Sequence, residues 1–212
     1  MHLDVDIEPV RMLRVLAAGA HVAGGSFASW LPNPATLDRP ARRAVVEQAR
    51  SEATVLCLRS LVHLAGLPQQ DVQKSPGGAR CWPPGFAGSV TNKGTVVLAV
   101  LTTEDRCAGI GIDLERADGA NLVDVPGIGS AQNPPPGILD DTTALLIAFS
   151  LKEAVFKAFY PRTSIKLAFE DVSLQWQKAE NLTADCLVDG VTLTGRCAFA
   201  PPWVVSVARW HK

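Results

Sequence analysis

The stretch from Phe149 to Pro161, FSLKEAVFKAFYP, is the feature that most limits how this chain can fold. At about 100° per residue, the apolar side chains in and just before it fall on one arc of a helix. That arc comprises Leu145, Ala148, Phe149, Val155, Phe156 and Phe159. Because proline cannot continue a helix and disfavours helical geometry in the residue before it, we expect the helix to run from Thr142 or Thr143 to Pro161.

Three charged residues belong to this predicted helix. Lys152 falls inside the apolar arc, while Glu153 and Lys157 lie on its flank, one turn apart. One interpretation is a surface helix with a solvated Glu–Lys pair and a lysine whose stem lies along apolar surface. The other is a functional site, because burying a charge is costly unless the charge is paired or bound to a metal. The helix alone leaves both open.

Length and composition exclude several classes of protein. A chain of 212 residues suits one domain, or two small halves that share a core. A net charge of −1 gives no general affinity for nucleic acid or acidic membranes. We find no run of about 18 uncharged apolar residues, so we expect no membrane-spanning segment.

Cysteine usage and the N-terminal sequence indicate the compartment. The five cysteines are odd in number and form no C-x-x-C pair, which argues against a disulfide framework and against a zinc site. The small apolar stretch at 12–25 is preceded by Asp4, Asp6 and Glu8, where a signal peptide would carry positive charge. We therefore expect a protein of the reducing cytoplasm.

The order of predicted elements suggests two halves of similar plan. Residues 40–66 are expected to be helical, 67–94 to be rich in turns, and 116–143 to form an irregular surface segment. Strands are predicted at 95–101, 107–115, 171–176, 183–188, 191–199 and 203–210, with a hairpin turn at Asp189-Gly190. The repeated order of helix and strands divides the chain into an N-terminal half, 1–106, and a C-terminal half, 107–212.

The second strand ends in the sequence GIGIDLER, which carries two carboxylates. Asp113 and Glu115 are two residues apart, so a strand places both on one face. They can mark a strand end that reaches solvent, as half-exposed strands commonly do. They can also bind Mg²⁺, which prefers hard oxygen ligands. Glu153 would supply a third carboxylate if the helix packs beside the strand, and Lys152 and Lys157 would suit a phosphate-rich ligand.

Three motifs, taken in order, carry a resemblance to a known family. GIGIDLE, followed some forty residues later by FSLKEAVFKAFYP, resembles the paired signature of the 4′-phosphopantetheinyl transferases. Upstream, WPPGFAGSVT at 82–91 is similar to the first motif of that superfamily. The order and spacing resemble the long, single-chain type found with siderophore, nonribosomal peptide and polyketide synthases.

The resemblance implies a fold and a reaction. It implies an α+β fold of two similar halves in one chain, a pseudo-dimer, with the site in the cleft between them. Such an enzyme moves the phosphopantetheine arm of coenzyme A onto a serine of an acyl or peptidyl carrier protein, and Mg²⁺ is required. A chain that already contains both halves has little need to dimerise, so we expect a monomer.

The resemblance also implies roles for individual residues. Asp113, Glu115 and Glu153 would be the Mg²⁺ ligands, and Glu153 would also be the base for the carrier serine. Lys157 would stabilise charge on the reacting phosphate. The residues implied to contact coenzyme A or to line its pocket are Lys74, Ser89, Thr91, Asn92 and Lys152.

Two features depart from the family pattern. The first motif normally ends in a histidine that binds the diphosphate of coenzyme A, and here that position is Asn92, which cannot be a cation. Lys93 is adjacent, but neighbours on a strand point to opposite faces. Relatives also carry an arginine pair on the helix at 40–66, and those places fall near Glu47 and Val55.

These departures leave two hypotheses. The first is a working transferase with an altered coenzyme A pocket, which the carboxylates and Lys157 favour. The second is a family member that keeps the fold without the transfer reaction. It would act as a carrier-binding accessory, or as an enzyme redirected to a natural-product intermediate.

Overall fold

The computed structural model describes residues 2–33, 36, 38–118, 134–138, 140–177 and 182–211. The fold is α+β, as predicted. The helices are α1 (Glu8–Leu16), α2 (Arg39–Leu64) and α3 (Asp141–Thr163). The strands are β1 (His21–Ser26), β2 (Phe86–Lys93), β3 (Val96–Thr103), β4 (Gly109–Arg116), β5 (Ser173–Trp176), β6 (Leu182–Val188), β7 (Val191–Ala200) and β8 (Trp203–Trp210). Within the described ranges, no helix is both long and apolar enough to cross a membrane.

The strands form two antiparallel sheets. The first has the order β1-β3-β2 and the second the order β4-β8-β7-β6-β5. In the first sheet Ala99 is opposite both Ala23 and Val90, and in the second Asp113 is opposite Ser206. The long helix α2 packs on β1 and β3, and α3 packs on β4, β8 and β7. Each sheet is therefore covered on one face by one long helix.

The core lies in three layers, and β3 shows why. Its successive apolar side chains alternate between faces, as they must in a pleated strand. Val96, Leu98 and Val100 join the central layer together with β4, β8 and α1. Val97, Ala99 and Leu101 join the layer under α2. The third layer lies between α3 and the second sheet. The central layer contains residues from both predicted halves. The boundary at 106/107 falls between β3 and β4 and stays a prediction.

Two glycines bring β4 and α3 into close contact. A Cβ on Gly111 would lie 1.9 Å from the carbonyl oxygen of Ala154, and one on Gly109 would lie 2.5 Å from that of Ala158. The alternation predicted for β4 is confirmed, because Ile112 and Leu114 point into the central layer. Asp113 and Glu115, on the face that carries the glycines, lie on the α3 side.

The helix α3 differs from its prediction in arc and in end. Of the expected arc, Ala148, Val155 and Phe159 are buried, whereas Leu145, Phe149 and Phe156 are only half-buried. The buried face also takes in Ile147, Leu151, Ala154 and Ala158. The arc is displaced because the helix is apolar over most of its circumference, so that tertiary packing chooses the buried face. Lys152 is half-buried outside that face.

The predicted stop of α3 at Pro161 is wrong by two residues. The helix continues to Thr163, and Ser164 follows in the left-handed region with φ 58°. Pro161 has no N–H to donate to the carbonyl four residues earlier, and the helix continues for only two residues beyond it. At the other end, the Asp140 side chain accepts a hydrogen bond from the Thr143 backbone N–H at 2.7 Å and caps the helix.

The other elements were predicted where their sequence pattern is strong and missed where it is weak. Helix α2 and strands β3 to β8 fall within two residues of prediction, and the Asp189-Gly190 turn has positive φ at both residues. Strand β2 lies inside the stretch predicted to be turns, and α1 and β1 were not predicted. Gly, Ser and Asn weaken the strand pattern of β2, and its pairing with β3 overrides them. Most of the predicted irregular segment at 116–143 lies outside the described residues.

Gly111→Ala tests the contact between β4 and α3. The added methyl group would meet helix backbone, which cannot rotate away, so we expect a loss of about 3 kcal/mol or more in the free energy of unfolding, or no folded protein. Gly66→Ala is the control, since it has positive φ but nothing within 4 Å, and should cost only about 1 kcal/mol. Urea denaturation measures both. Equal losses in the two variants would contradict the close contact.

Candidate active site

The site is built where the edge strands β2 and β4 run side by side in the same direction. Their sheets are separate, and side chains of β2 link them. The Ser89 hydroxyl accepts a hydrogen bond from the Ile112 backbone N–H at 3.1 Å. The Thr91 hydroxyl donates to Asp113 at 3.3 Å, and Lys93 forms an ion pair with Glu115. Alternate residues of β2 therefore face β4 in register, and this row carries the carboxylates.

Asp113 is the buried centre of the cluster. Lys157, on α3, donates from Nζ to Asp113 Oδ1 at 2.7 Å and to the Thr91 hydroxyl at 3.3 Å. The Asp113 side chain is 5% exposed and that of Lys157 is 31% exposed. The second carboxylate oxygen, Asp113 Oδ2, is buried and has no hydrogen-bond partner among the described residues. A buried carboxylate oxygen left unpaired is costly, so this atom is suited to bind a cation or a proton donor.

Glu115 lies at the edge of the same cluster. Its side chain is 12% exposed, and Lys93 is its ion-pair partner. Burial raises the pKa of Glu115, and the hydrogen bond from Lys93 partly opposes that rise. The negative charge of Asp113 raises the pKa of Glu115 further, because the charges of the two carboxylates repel each other. The structure thus brings Asp113 and Glu115 to one face, as the sequence predicted.

Glu153 approaches the pair from α3 and is half-buried. Burial raises the pKa of this carboxyl, the charge of Lys157 lowers it, and the charges of Asp113 and Glu115 raise it. The three predicted carboxylates therefore share one electrostatic environment. A carboxyl whose pKa is raised is a better proton acceptor than an ordinary one once it is ionised.

The fit of a divalent cation depends on these carboxylates. Within the described part of the chain, no three His, Cys, Asp or Glu side chains are arranged as a ready metal site. The predicted ligand set of Asp113, Glu115 and Glu153 is therefore not assembled here, and its metal role stays a prediction. The chemistry of the groups nevertheless fits Mg²⁺, because they are hard oxygen donors and Asp113 Oδ2 is buried without a partner.

A cavity of about 700 Å³ opens beside the cluster. It lies among α2, β2, α3 and the segment at 74–82. Four residues predicted for the site line it, namely Lys74, Ser89, Asn92 and Lys157. Lys157 both lines the cavity and contacts Asp113, so it joins the cavity to the carboxylates. A second cavity of about 530 Å³ shares Lys157 and Tyr160 with the first.

The residues of helix α2 that depart from the family pattern line the first cavity. Glu47 and Val55, at the places where relatives carry arginines, both line it. Arg50 lines it too, and forms an ion pair with Glu47 at 3.1 Å. One arginine thus reaches the cavity from a neighbouring position of the helix. Asn92, at the place of the family histidine, is exposed to the cavity, while Lys93 points the other way, toward Glu115.

Several cavity residues were missed by the sequence reasoning. Arg80 lines both cavities, donates to the Val72 carbonyl at 3.0 Å, and has a buried Nε without a partner among the described residues. Burial lowers the pKa of its guanidinium. Tyr160 and Trp82 form further parts of the wall. Arg80 lies in a turn-rich stretch with no periodicity, so only its closeness to the first motif could have indicated it.

Of the residues predicted to contact coenzyme A or to line its pocket, two do not line the first cavity. Lys152 donates to the Phe169 carbonyl at 2.7 Å and is not among the residues that line either cavity. The ring of Phe169 also packs against Phe149 and Phe156, so Lys152 helps to hold the segment after α3. Thr91 belongs to the carboxylate cluster instead of the cavity wall. Lys152 therefore lies apart from the basic groups of the cavity, whereas Thr91 still contacts one of them, Lys157.

Comparisons with known proteins point to one family. The chain is 29% identical over 177 residues to the 4′-phosphopantetheinyl transferase PptT of Mycobacterium tuberculosis, an alignment that covers 79% of this chain and 76% of that protein. It is 35% identical over 167 residues to the 4′-phosphopantetheinyl transferase Svp of Streptomyces mobaraensis, covering 73% of this chain and 65% of Svp. The chain belongs to the 4′-phosphopantetheinyl transferase superfamily. Membership assigns it to a class of enzymes.

Two other comparisons add little. No protein-family model matches the chain. Among solved structures, the holo-[acyl-carrier-protein] synthase of Thermotoga maritima is 18% identical, with a TM-score of 0.40 over 50% of this chain and 64% of that one. That similarity is too low to support any detail of a 4′-phosphopantetheinyl transferase site here.

Glu153→Gln tests the energetic cost of burying the ionised Glu153 carboxylate. Because the folded-state pKa of Glu153 is raised, its ionised form destabilises the folded state. At pH 8 the variant should therefore be as stable as the parent, or more stable by up to about 1 kcal/mol. As pH falls below the ordinary value of 4.5, the parent becomes protonated in both states and the difference should vanish.

Thermal melts between pH 4 and pH 8 measure this difference. Glu52→Gln, on an exposed position of α2, is the matched control and should show no such trend. A large drop in melting temperature for Glu153→Gln at pH 8 would mean instead that the carboxylate stabilises the fold.

Proposed function

We propose that this chain transfers the 4′-phosphopantetheine group of coenzyme A to a serine of an acyl or peptidyl carrier protein, with Mg²⁺ as cofactor. The observation that carries the proposal is Lys157, which lines the cavity and donates to the buried Asp113 of the carboxylate cluster. Lys157 thus connects the cavity, which would hold coenzyme A, with the carboxylate cluster, which includes the proposed base Glu153.

The cavity suits a donor with several phosphates. Arg50, Lys74, Arg80 and Lys157 all line it, and cations in a partly enclosed space bind phosphate oxygens by charge-assisted hydrogen bonds. Trp82 and Tyr160 add aromatic surface. Its volume of about 700 Å³ lies within the range of cavities that hold cofactors.

The chemistry balances with groups that this chain provides. The carrier serine oxygen forms a bond to the phosphorus that bears the pantetheine arm. The bond from that phosphorus to the bridging oxygen breaks, and adenosine 3′,5′-bisphosphate leaves with the electron pair. Glu153 takes the serine proton, directly or through water, and its raised pKa suits it to that role. Lys157 stabilises the negative charge that develops on the phosphoryl oxygens.

Asp113, Glu115 and Glu153 are the residues that would hold the Mg²⁺. When bound, the ion would neutralise charge on the diphosphate and orient it. The protein's own part is to supply oxygen ligands at a half-buried position and to leave Asp113 Oδ2 without a competing hydrogen bond. The superfamily resemblance and the chemistry of these three groups support this assignment.

The pathway and setting are part of the proposal. The resemblance favours carrier proteins of siderophore, polyketide or nonribosomal peptide synthesis. We propose a monomer, since one chain already presents the cavity and the carboxylate cluster. The cysteine usage supports a cytoplasmic location.

A second candidate function has a specific observation in its favour. Glu47 faces the cavity, and Asn92 stands where a cationic histidine would contact the diphosphate. Both changes weaken the binding of anions. A family member that binds carrier proteins without transfer, or that acts on another natural-product intermediate, would tolerate them.

Mass spectrometry of a carrier protein separates the two candidates. After incubation with this protein, coenzyme A and MgCl₂, we expect the carrier to gain the mass of one phosphopantetheine group. Glu153→Gln should reduce the initial rate at least about 100-fold, because a general base alone contributes about that factor. Asp113→Asn should also reduce the rate, because it removes a proposed Mg²⁺ ligand and the negative charge that pairs with Lys157. Glu52→Gln should retain the rate of the parent.

The result against the transferase would be no mass gain with several carriers from different pathways. Thermal stabilisation of the protein by a carrier under those conditions would then support the binding accessory.

Asn92→His tests the departure in the first motif. An imidazolium can donate a charge-assisted hydrogen bond to a phosphate, whereas the amide donates a neutral one. We expect the KM for coenzyme A to fall about tenfold at pH 6, and by less at pH 8, where the imidazole is neutral. Asn92→Gln is the control and should not reproduce the effect. An unchanged KM at both pH values would place this side chain away from the diphosphate.

A further inference from the structure

The side chain of Lys93 lies at the edge of the carboxylate cluster formed by Asp113, Glu115 and Glu153. It extends from the end of β2 toward β4, on the same side of the strand as Ser89 and Thr91, and forms an ion pair with Glu115 Oε2. The Lys93 side chain is 43% exposed, while Glu115 is 12% exposed. The ammonium group therefore reaches from the solvent side onto a largely buried carboxylate.

Without a bound metal, the cluster needs positive charge from the protein itself. The negative charges of Asp113, Glu115 and Glu153 repel one another, and taking such charges out of water is costly unless they are paired. In this structure Lys157 neutralises Asp113 and Lys93 neutralises Glu115. The two lysines provide the charge that a divalent cation would otherwise bring.

The two lysines differ in how firmly they are held. Lys157 donates to both Asp113 and the Thr91 hydroxyl, and its helix packs against β4 through the two glycines. Lys93 lies at the last position of β2, next to the turn at Gly94, with nearly half of its side chain in solvent. Its long, flexible side chain can move into water without any change in the backbone. Of the two, Lys93 is the counter-ion that can be displaced.

We propose that Lys93 is a built-in counter-ion that competes with the divalent cation for Glu115, so that metal binding requires Lys93 to leave that carboxylate. The inference rests on the proposed metal role of the cluster. It adds a specific consequence, which is that this chain binds its metal more weakly than its carboxylates alone would allow. The competing ion pair holds the metal-free protein in a stable form.

Titration calorimetry with MgCl₂ alone, without coenzyme A or carrier, tests the competition. Lys93→Met keeps the length of the side chain and removes its charge. We expect the variant to bind Mg²⁺ about tenfold more tightly than the parent, because the coupling between close charge pairs is of that order. Lys166→Met, at an exposed position after α3, is the matched control and should bind as the parent does. Lys93→Met combined with Glu115→Gln should lose the gain.

Equal Mg²⁺ affinity in the parent and Lys93→Met would overturn the inference. If Glu115→Gln alone weakens binding in that case, the metal role in the proposed function stands while the competition does not. If neither the parent nor any variant binds Mg²⁺, the metal role fails and the inference fails with it.

A measurement on the intact parent covers the case in which Lys93→Met does not fold. The lysines are labelled by reductive ¹³C-methylation, and the Lys93 signal is assigned by its loss in Lys93→Arg. Addition of MgCl₂ should move that signal toward the position of an exposed lysine such as Lys166. A Lys93 signal that stays fixed while Mg²⁺ binds would overturn the inference.

Discussion

The close contact between α3 and β4 determines the rest of the site. Gly109 and Gly111 let the helix backbone approach the strand until a Cβ on Gly111 would lie 1.9 Å from a carbonyl oxygen. At that separation, the carboxylates on the same face of β4 lie under the charged flank of α3. Asp113 is thereby buried within hydrogen-bond distance of Lys157, and Glu153 is drawn into the same electrostatic environment. Larger side chains in place of the two glycines would separate these groups.

Burying the carboxylate cluster has an electrostatic cost. Three carboxylates at a half-buried position destabilise the folded state, and the raised pKa values of Glu115 and Glu153 express that cost. The protein offsets it with Lys93 and Lys157, which are held by strand and helix respectively. Carboxyl groups with raised pKa values beside lysines mark this cluster as a candidate functional site.

The cavity shows how the departures from the family pattern are partly compensated. Asn92 and Glu47 both face it, at places where the family pattern implies a histidine and an arginine. Arg50, Arg80 and Lys74 return positive charge from other positions of α2 and of the segment at 74–82. Arg50 forms an ion pair with Glu47 at 3.1 Å, so the positive charge of Arg50 is partly neutralised at that end of the cavity.

The sequence alone determined the element pattern of the C-terminal half, the α+β class and the shared face of Asp113 and Glu115. These follow from local periodicity, turn residues and the alternation of a strand, which neighbouring residues fix. Tertiary structure alone decided which face of α3 is buried and that residues 86–93 form strand β2. It also decided that Lys152 donates to the Phe169 carbonyl and that Arg80 lines the cavity. Each of these depends on which surfaces meet across the chain. A helix apolar over most of its circumference, or a strand rich in Gly and Ser, does not specify its partner locally.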